Sequence, residues 1–133
     1  MSTSRSFAGI DTAAMREWCA ILGDDNPIHL DPATAEALGF GPRTVNPGPA
    51  NLAYLLTALE DAAPGATPAS LDAAFLGNVM SGDTAIATVE IEGETARLDL
   101  RVAQEDNGPG RSVLMAEVEL RMRDDDRSAA DAG

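Results

Sequence analysis

One stretch decides how this chain turns: Gly23-Asp24-Asp25-Asn26-Pro27-Ile28-His29-Leu30-Asp31. Pro27 fixes its own φ and keeps Asn26 out of the α region, so the backbone has to leave any helix that precedes the stretch. The corner presents Asp24 and His29, which is the only histidine of the chain. A carboxylate and an imidazole placed there can address one small molecule, such as a water. The stretch therefore predicts an acid/base site on a turn, although turn and cap residues alone would also explain its composition.

Short helices are predicted on both sides of this turn. The first follows Asp11, a good N-cap, ends at Gly23, and places apolar residues at helical spacing on one face: Met15, Trp18, Cys19 and Leu22. The second starts with Asp31 as N-cap and Pro32 as its first residue, ends at Gly39, and points two apolar side chains inward: Ala35 and Leu38. Together the two helices would hold the turn in place.

The clearest helical pattern runs from Pro49 to about Ala62, with leucines at i, i+3, i+4 and i+7: Leu52, Leu55, Leu56 and Leu59. Beyond it the apolar period changes to two, at residues 71–75, 85–91, 96–102 and 114–122, with hairpin connections at 92–94 and 106–110. A further edge strand is expected at residues 5–10, after a frayed N-terminus. Helices followed by an antiparallel meander predict an α+β fold.

Length and charge limit the class of protein. The 133 residues suit one domain, which we place at residues 1–123, followed by a disordered acidic tail at 124–133. The formal charge of −13, with no lysine, argues against nucleic-acid binding. No run is apolar enough to span a bilayer, which favours a soluble cytoplasmic protein. The single cysteine, Cys19, predicts a buried structural thiol, and one histidine gives little support for a metal site.

The motif Gly23-Asp24-x-Asn26-Pro27-x-His29, followed by Asp31 and the Gly39-Phe40 pair, resembles the signature of the MaoC-like, or hydratase 2, family of (R)-specific enoyl-CoA hydratases. A second segment, residues 75–84, resembles the family's strand-turn-strand element, in which Gly82 and Asp83 would make the turn. The resemblance covers roughly residues 11–92. It implies a hot-dog fold, in which an antiparallel sheet of about five strands wraps around one long helix. It also implies a homodimer.

The resemblance further implies that Asp24 and His29 grip one water and add it syn to a 2-enoyl thioester, or remove it from an (R)-3-hydroxyacyl thioester. The acyl group would be carried by CoA or by a carrier protein, and no cofactor is expected. Asn26 would brace the turn from the second shell, whereas Asp31 would act as a helix cap. Such chemistry also needs donors for the thioester oxygen.

For these donors the chain departs from the family. Where members commonly have His-Gly, this sequence has Pro47-Gly48, and proline has no N–H. The remaining backbone donors at this helix start are three: Gly48, Ala50 and Asn51. Gly48 matches the family's glycine and is the first candidate. Arg43 is the nearest base in sequence for the phosphates of CoA, with alternatives on the outer face of the sheet: Arg97, Arg101, Arg121 and Arg123.

Two other functions remain open. A hot-dog thioesterase also uses a carboxylate and the start of the central helix, although the Asp24 to His29 spacing favours a hydratase. A noncatalytic hot-dog subunit that shapes a partner's substrate tunnel is the second alternative.

Overall fold

The computed structural model describes residues 1–104 and 110–121. Within them the chain forms five strands, three α-helices and one 3₁₀ turn, in this order: β1 (Ser2–Phe7), α1 (Thr12–Leu22), the 3₁₀ turn (Pro27–His29), α2 (Pro32–Ala37), α3 (Gly48–Ala62), β2 (Thr67–Phe75), β3 (Ala85–Glu92), β4 (Thr95–Val102) and β5 (Ser112–Arg121). In this part of the chain no helix has the length and hydropathy of a membrane span. The predicted tail at 124–133, the site candidate Arg123 and most of the connection at 106–110 lie outside the described residues.

The sheet is antiparallel throughout, with the strand order β1-β3-β4-β5-β2. Its middle strand, β4, buries every second residue, as the alternation of its sequence predicts: Ala96, Leu98, Leu100 and Val102. Neighbouring strands put their own small and branched residues opposite these, for example Val89 and Ala116 opposite Leu98. One face of the sheet is therefore apolar and forms half of the core.

The long helix α3 forms the other half. It packs against β1, β3 and β4, and buries Leu55 and Leu59 completely or almost completely. Met15 of α1 and Val79 close the core cluster from the side of the turn. The α+β arrangement expected from the sequence, an antiparallel sheet laid around one helix, is therefore present.

The N-terminus differs from the expectation. β1 begins at Ser2, not at residue 5, and the Met1 carbonyl accepts a hydrogen bond from the Ile91 N–H at 2.9 Å. The prediction of a frayed N-terminus was wrong because the strand is stabilised by pairing with β3, a contact that local composition does not reveal.

Leu38 was also placed wrongly. It is 64% exposed because α2 ends at Ala37, so Leu38 occupies the C-cap instead of the inward helical face. Ala35, in the helix itself, is fully buried as predicted.

The edge strand β2 pairs only with β5 among the described strands, and most of its side chains are exposed. Leu71, Ala73 and Phe75 lie opposite buried residues of β5 and so belong to the apolar face of the sheet. Nevertheless Phe75 is 57% exposed, because α3 packs mainly on β1, β3 and β4 and leaves most of β2 uncovered on this face. β2 therefore presents an uncovered apolar edge.

Candidate active site

The acid/base turn, residues 23–31, is shaped by short-range hydrogen bonds. Gly23 ends α1 in the left-handed conformation, with φ of 67°, and the Asp24 N–H bonds to the Cys19 carbonyl at 3.0 Å. Asp24 Oδ1 then accepts the Asn26 N–H at 3.0 Å, and Asn26 Oδ1 accepts the Ile28 N–H at 3.2 Å. Each polar side chain thus satisfies a backbone donor two residues ahead, which fixes the corner.

Asn26 is the N-cap of the 3₁₀ turn that ends in His29, and its hydrogen bond from the Ile28 N–H braces the turn as the sequence predicted. Asp31 caps α2 through the Ala33 N–H at 3.1 Å and the Thr34 hydroxyl at 2.8 Å, which confirms its prediction as a helix cap. Asp25 is exposed beside them.

His29 is the buried member of the pair. Its Nδ1 lies 2.6 Å from the Val45 carbonyl oxygen, and its Nε2 lies 3.3 Å from Oδ2 of Asp24. A carbonyl can only accept, so Nδ1 carries a proton and Nε2 faces the carboxylate. The His29 side chain is 9% exposed and that of Asp24 is 39% exposed, so a small molecule reaches the pair from the side of Asp24.

Val45 connects this turn to the start of α3. Besides accepting from His29, it donates its own N–H to the Ile28 carbonyl at 2.9 Å. Sequence reasoning missed Val45, because a backbone carbonyl that fixes a histidine leaves no signal in residue type.

The α3 start, residues 45–51, offers fewer backbone donors than the sequence predicted. The N–H groups of Ala50 and Asn51 both bond to the Pro47 carbonyl, at 3.0 and 3.3 Å. The expectation that they are free donors was therefore wrong, because these positions already fall within the first hydrogen-bonded turn of the helix. Gly48 is the first residue of α3, and its N–H has no acceptor among the described residues. Of the three predicted backbone donors, Gly48 is therefore the one whose N–H remains available in the described structure.

The Asn51 side chain is buried, with 3% of the residue exposed, and its Oδ1 accepts from Nδ2 of Asn46 at 2.8 Å. Its own Nδ2 makes no hydrogen bond within the described part of the chain. A direct role of this amide towards substrate stays a prediction. Asn46, equally buried, was not singled out from the sequence.

Gly48 lies next to the open edge of the sheet. A Cβ atom added to it would lie 3.4 Å from Cε1 of Phe75, the exposed aromatic residue at the end of β2. Because Gly48 has no positive φ, a small side chain would contact this ring without requiring a left-handed backbone. Pro49 follows and disfavours a helical residue that carries a Cβ, so the substitution has a moderate steric cost.

Arg43 is used for internal contacts. Its Nη1 donates to Asp83 Oδ1 at 2.8 Å and to the Ser81 carbonyl at 3.0 Å, and Asp83 Oδ2 accepts the Met80 N–H. These bonds fasten the loop before α3 to the Gly82-Asp83 turn, where Gly82 has φ of 89°. Arg43 makes no hydrogen bond or ion pair with Asp24 or His29. Its predicted role in phosphate binding is therefore less favoured by the structure.

Two of the outer-face arginines are also engaged with neighbouring groups. Arg97 lies 3.7 Å from Glu117, and Arg101 bonds to Asp99 at 2.7 Å. By contrast, Arg16 of α1 lines an open hollow of about 400 Å³ that also contains Asp24 and Asp25. Arg16 was missed from the sequence because eight residues and a helix end separate it from Asp24.

Cys19 borders the same hollow. Burial raises the pKa of its thiol, and the negative charges of Asp24 and Asp25 raise it further. The thiol is therefore held in the neutral form, which agrees with the predicted structural role.

Comparison with known proteins places this chain in a family. The model of the MaoC like domain matches residues 4–108, and the chain belongs to this family. No curated protein matches it in sequence.

Solved structures show the same fold. An (R)-hydratase from A. caviae involved in PHA biosynthesis is 22% identical with a TM-score of 0.76, over 92% of this chain and 95% of that one. The R-hydratase PhaJ1 from Pseudomonas aeruginosa is 22% identical with a TM-score of 0.74, over 92% and 79%. The HadBC complex of Mycobacterium tuberculosis, a 3R-hydroxyacyl-ACP dehydratase, is 19% identical with a TM-score of 0.65, over 91% and 95%. At these identities the likeness establishes the hot-dog fold.

Proposed function

We propose that the protein is a hydratase/dehydratase that interconverts 2-enoyl and (R)-3-hydroxyacyl thioesters. The observation that carries the proposal is the pair formed by His29 and Asp24, with Nε2 and Oδ2 3.3 Å apart and Nδ1 held by a backbone carbonyl. Membership in the MaoC-like family supports the same reaction class.

The pair supplies one transferable proton. With Nδ1 bonded to the Val45 carbonyl, the proton that the reaction needs is carried either by Nε2 beside an ionised Asp24, or by the Asp24 carboxyl beside a free Nε2. A water held by both groups gives its proton to the accepting member while its oxygen bonds to C3 of the enoyl group. The other member delivers its proton to C2 as the C2–C3 π bond breaks. Dehydration is the same sequence reversed.

The developing negative charge on the thioester oxygen requires a donor outside this pair. Among the described residues the Gly48 N–H has no acceptor, and it lies at the N-terminus of a fifteen-residue helix, where the partial positive charge of the helix dipole is concentrated. We assign the oxyanion contact to this N–H, with substrate lying between the α3 start and the acid/base turn.

The proposal is tested with a short 2-enoyl-CoA and the matching saturated acyl-CoA. A hydratase removes the conjugated enoyl chromophore of the first compound without releasing free thiol from either. Release of thiol from both would identify a thioesterase instead. If the folded protein neither removes the enoyl chromophore nor releases thiol, with CoA or with carrier-protein thioesters, the proposed reaction is rejected.

Whether CoA or a carrier protein delivers the acyl group is decided by comparing the two forms of one substrate. The similar solved proteins include one that acts on ACP-bound substrate. However, the charge of −13 opposes a large acidic carrier protein more than the few phosphates of a CoA ester, so we propose CoA esters as the better substrates and the cytoplasm as the site of action.

We also propose a homodimer in which β2 is covered by a second copy. An uncovered edge strand with exposed Leu71 and Phe75 is an association surface that a monomer would have to protect. Light scattering should give twice the chain mass, and Leu71→Asp should reduce it to the chain mass. A monomer that becomes active only after a second, different protein is added would instead indicate a subunit of a mixed complex.

A further inference from the structure

We propose that Asn46 and Asn51 form a buried polar staple that positions both halves of the site: it holds the Val45 carbonyl against His29 and sets where α3 presents the Gly48 N–H. The staple is the hydrogen bond from Asn46 Nδ2 to Asn51 Oδ1, 2.8 Å long, between two residues that are each 3% exposed. These are positioning residues for the proposed reaction.

The staple stands where α3 lacks an ordinary cap. The N-cap residue is Pro47, which has no side-chain capping hydrogen bond. Asn46 therefore occupies the position before the N-cap and Asn51 the fourth helical position. In many helices this same pair of positions is joined by a hydrophobic contact that fixes the angle at which the chain enters the helix. Here an amide pair takes the place of that contact.

The backbone of Asn46 connects the staple to His29. The peptide unit between Val45 and Asn46 directs its carbonyl to His29 Nδ1 at 2.6 Å and its N–H to the Val79 carbonyl at 2.8 Å. On the other side only Pro47, with φ of −59°, separates Asn46 from Gly48. A shift of Asn46 would therefore move the carbonyl that holds the imidazole and the predicted oxyanion donor together.

The amide pair is a costly way to hold a helix. In the part of the chain that the structure describes, Oδ1 of Asn46 is buried without a hydrogen-bond partner, and Nδ2 makes one further hydrogen bond, a long one of 3.4 Å to the Tyr54 hydroxyl. Two apolar side chains would leave no such unsatisfied acceptor. A buried amide pair does, however, fix direction as well as distance, because a hydrogen bond weakens steeply as it departs from a near-linear arrangement. The amide pair therefore fixes the orientation of the site at the expense of one unsatisfied buried acceptor.

The test uses three variants: Asn46→Ala, Asn51→Ala and the double variant. The control is Leu52→Ala, which removes a partly buried core contact from the same helix. Because His29 is the only histidine, the ¹⁵N signals of its ring report unambiguously which nitrogen carries the proton. Thermal unfolding, kcat and KM for a short 2-enoyl-CoA are measured on the same samples.

Both single Asn variants should give a mixed tautomer signature in folded protein, whereas Leu52→Ala should lower the melting temperature and keep the wild-type signature. Turnover should fall about tenfold to a hundredfold in kcat with little change in KM, since misplaced groups slow chemistry more than binding. The double variant should be no slower than the slower single variant, because both remove one bond.

A wild-type tautomer signature in both folded Asn variants would overturn the inference, whatever their activity. An altered signature with unchanged kcat would reduce the staple to a structural role. An altered signature in a protein whose wild type hydrates no enoyl thioester would leave the positioning of His29 supported and reject the proposed function.

If the alanine variants do not fold, Asn46→Leu with Asn51→Leu replaces the amide pair by an apolar staple. We expect this variant to fold with a mixed tautomer and a reduced kcat, because an apolar contact fixes distance but not direction. The wild-type tautomer with most of the kcat would contradict the inference.

Discussion

The acid/base turn and the α3 start each supply half of the candidate site, yet they are held in different ways. In the turn, Asp24 and Asn26 bond to N–H groups two residues ahead, so the shape is set within nine residues of sequence. At the α3 start, Asn46 is fixed by Val79 and Asn51, and Gly48 lies beside Phe75 of a distant strand. The backbone of the turn should therefore tolerate changes elsewhere in the protein, while the direction of the His29 ring and the α3 start depend on packing around them.

The largest effect is expected within the turn. Asp24→Asn and His29→Ala should each lower hydration by about a hundredfold to ten-thousandfold, because each removes a positioned proton donor or acceptor. Initial rates with a short 2-enoyl-CoA measure this, with circular dichroism to verify folding. Asp25→Asn, an exposed neighbour on the same turn, is the matched control. Full turnover by a folded Asp24 or His29 variant would remove the catalytic assignment.

At the α3 start, Gly48→Pro should lower kcat by roughly a hundredfold, the usual cost of one lost oxyanion donor. Proline suits the first position of a helix, and Pro47 already has the extended ψ of 139° that a following proline requires. Pro49 disfavours a helical residue that carries a Cβ before it, but Gly48→Pro and Gly48→Ala share this cost, so comparing the two isolates the loss of the N–H. Gly48→Ala keeps the N–H and should stay within a few-fold of wild type, with its Cβ in contact with Phe75. Equal activity of the two variants would place the donor elsewhere, with the Asn51 amide as the next candidate.

Arg16 near the turn and Arg43 before α3 should affect substrate binding and stability differently. Arg16→Ala should raise KM for a CoA thioester by up to about fivefold, the upper range for an exposed charge pair, since Arg16 shares the hollow with Asp24. Arg43→Ala should leave KM unchanged and lower thermal stability, because it breaks the ion pair with Asp83. The reverse pattern of KM values would return the phosphate contact to the side of the α3 start.

The smallest effect is expected for Asn26→Ala, which deletes the cap of the 3₁₀ turn and should reduce the free energy of unfolding by about 1 kcal/mol. Chemical denaturation followed by tryptophan fluorescence measures it. If the turn is held locally, Leu71→Asp should not change this cost. A cost that disappears in the Leu71 variant would show that the turn, too, depends on the sheet edge.

Patterns of residue type predicted the helices, four of the five strands and the middle of the core. Asp11, Gly23 and Asp31 act as caps or terminators as expected, and the alternation in β4 gave its buried face. The extent of β1, the exposure of Leu38 and the occupied N–H groups of Ala50 and Asn51 were predicted wrongly. Each of these depends on where an element ends or which partner it meets, and single-residue preferences say little about either.

The sequence by itself determined the acid/base turn, since a proline, two short polar side chains and a left-handed glycine fix that backbone through contacts no more than a few residues long. Only the tertiary structure decided which groups complete the site. The Val45 carbonyl that orients His29, the Asn46–Asn51 bond and the position of Gly48 beside Phe75 all join residues that are brought together by packing of α3 on the sheet. A hydrogen bond to a backbone carbonyl or a contact with an exposed ring places no requirement on residue type that a sequence pattern would reveal, so these features appear only once the chain has folded.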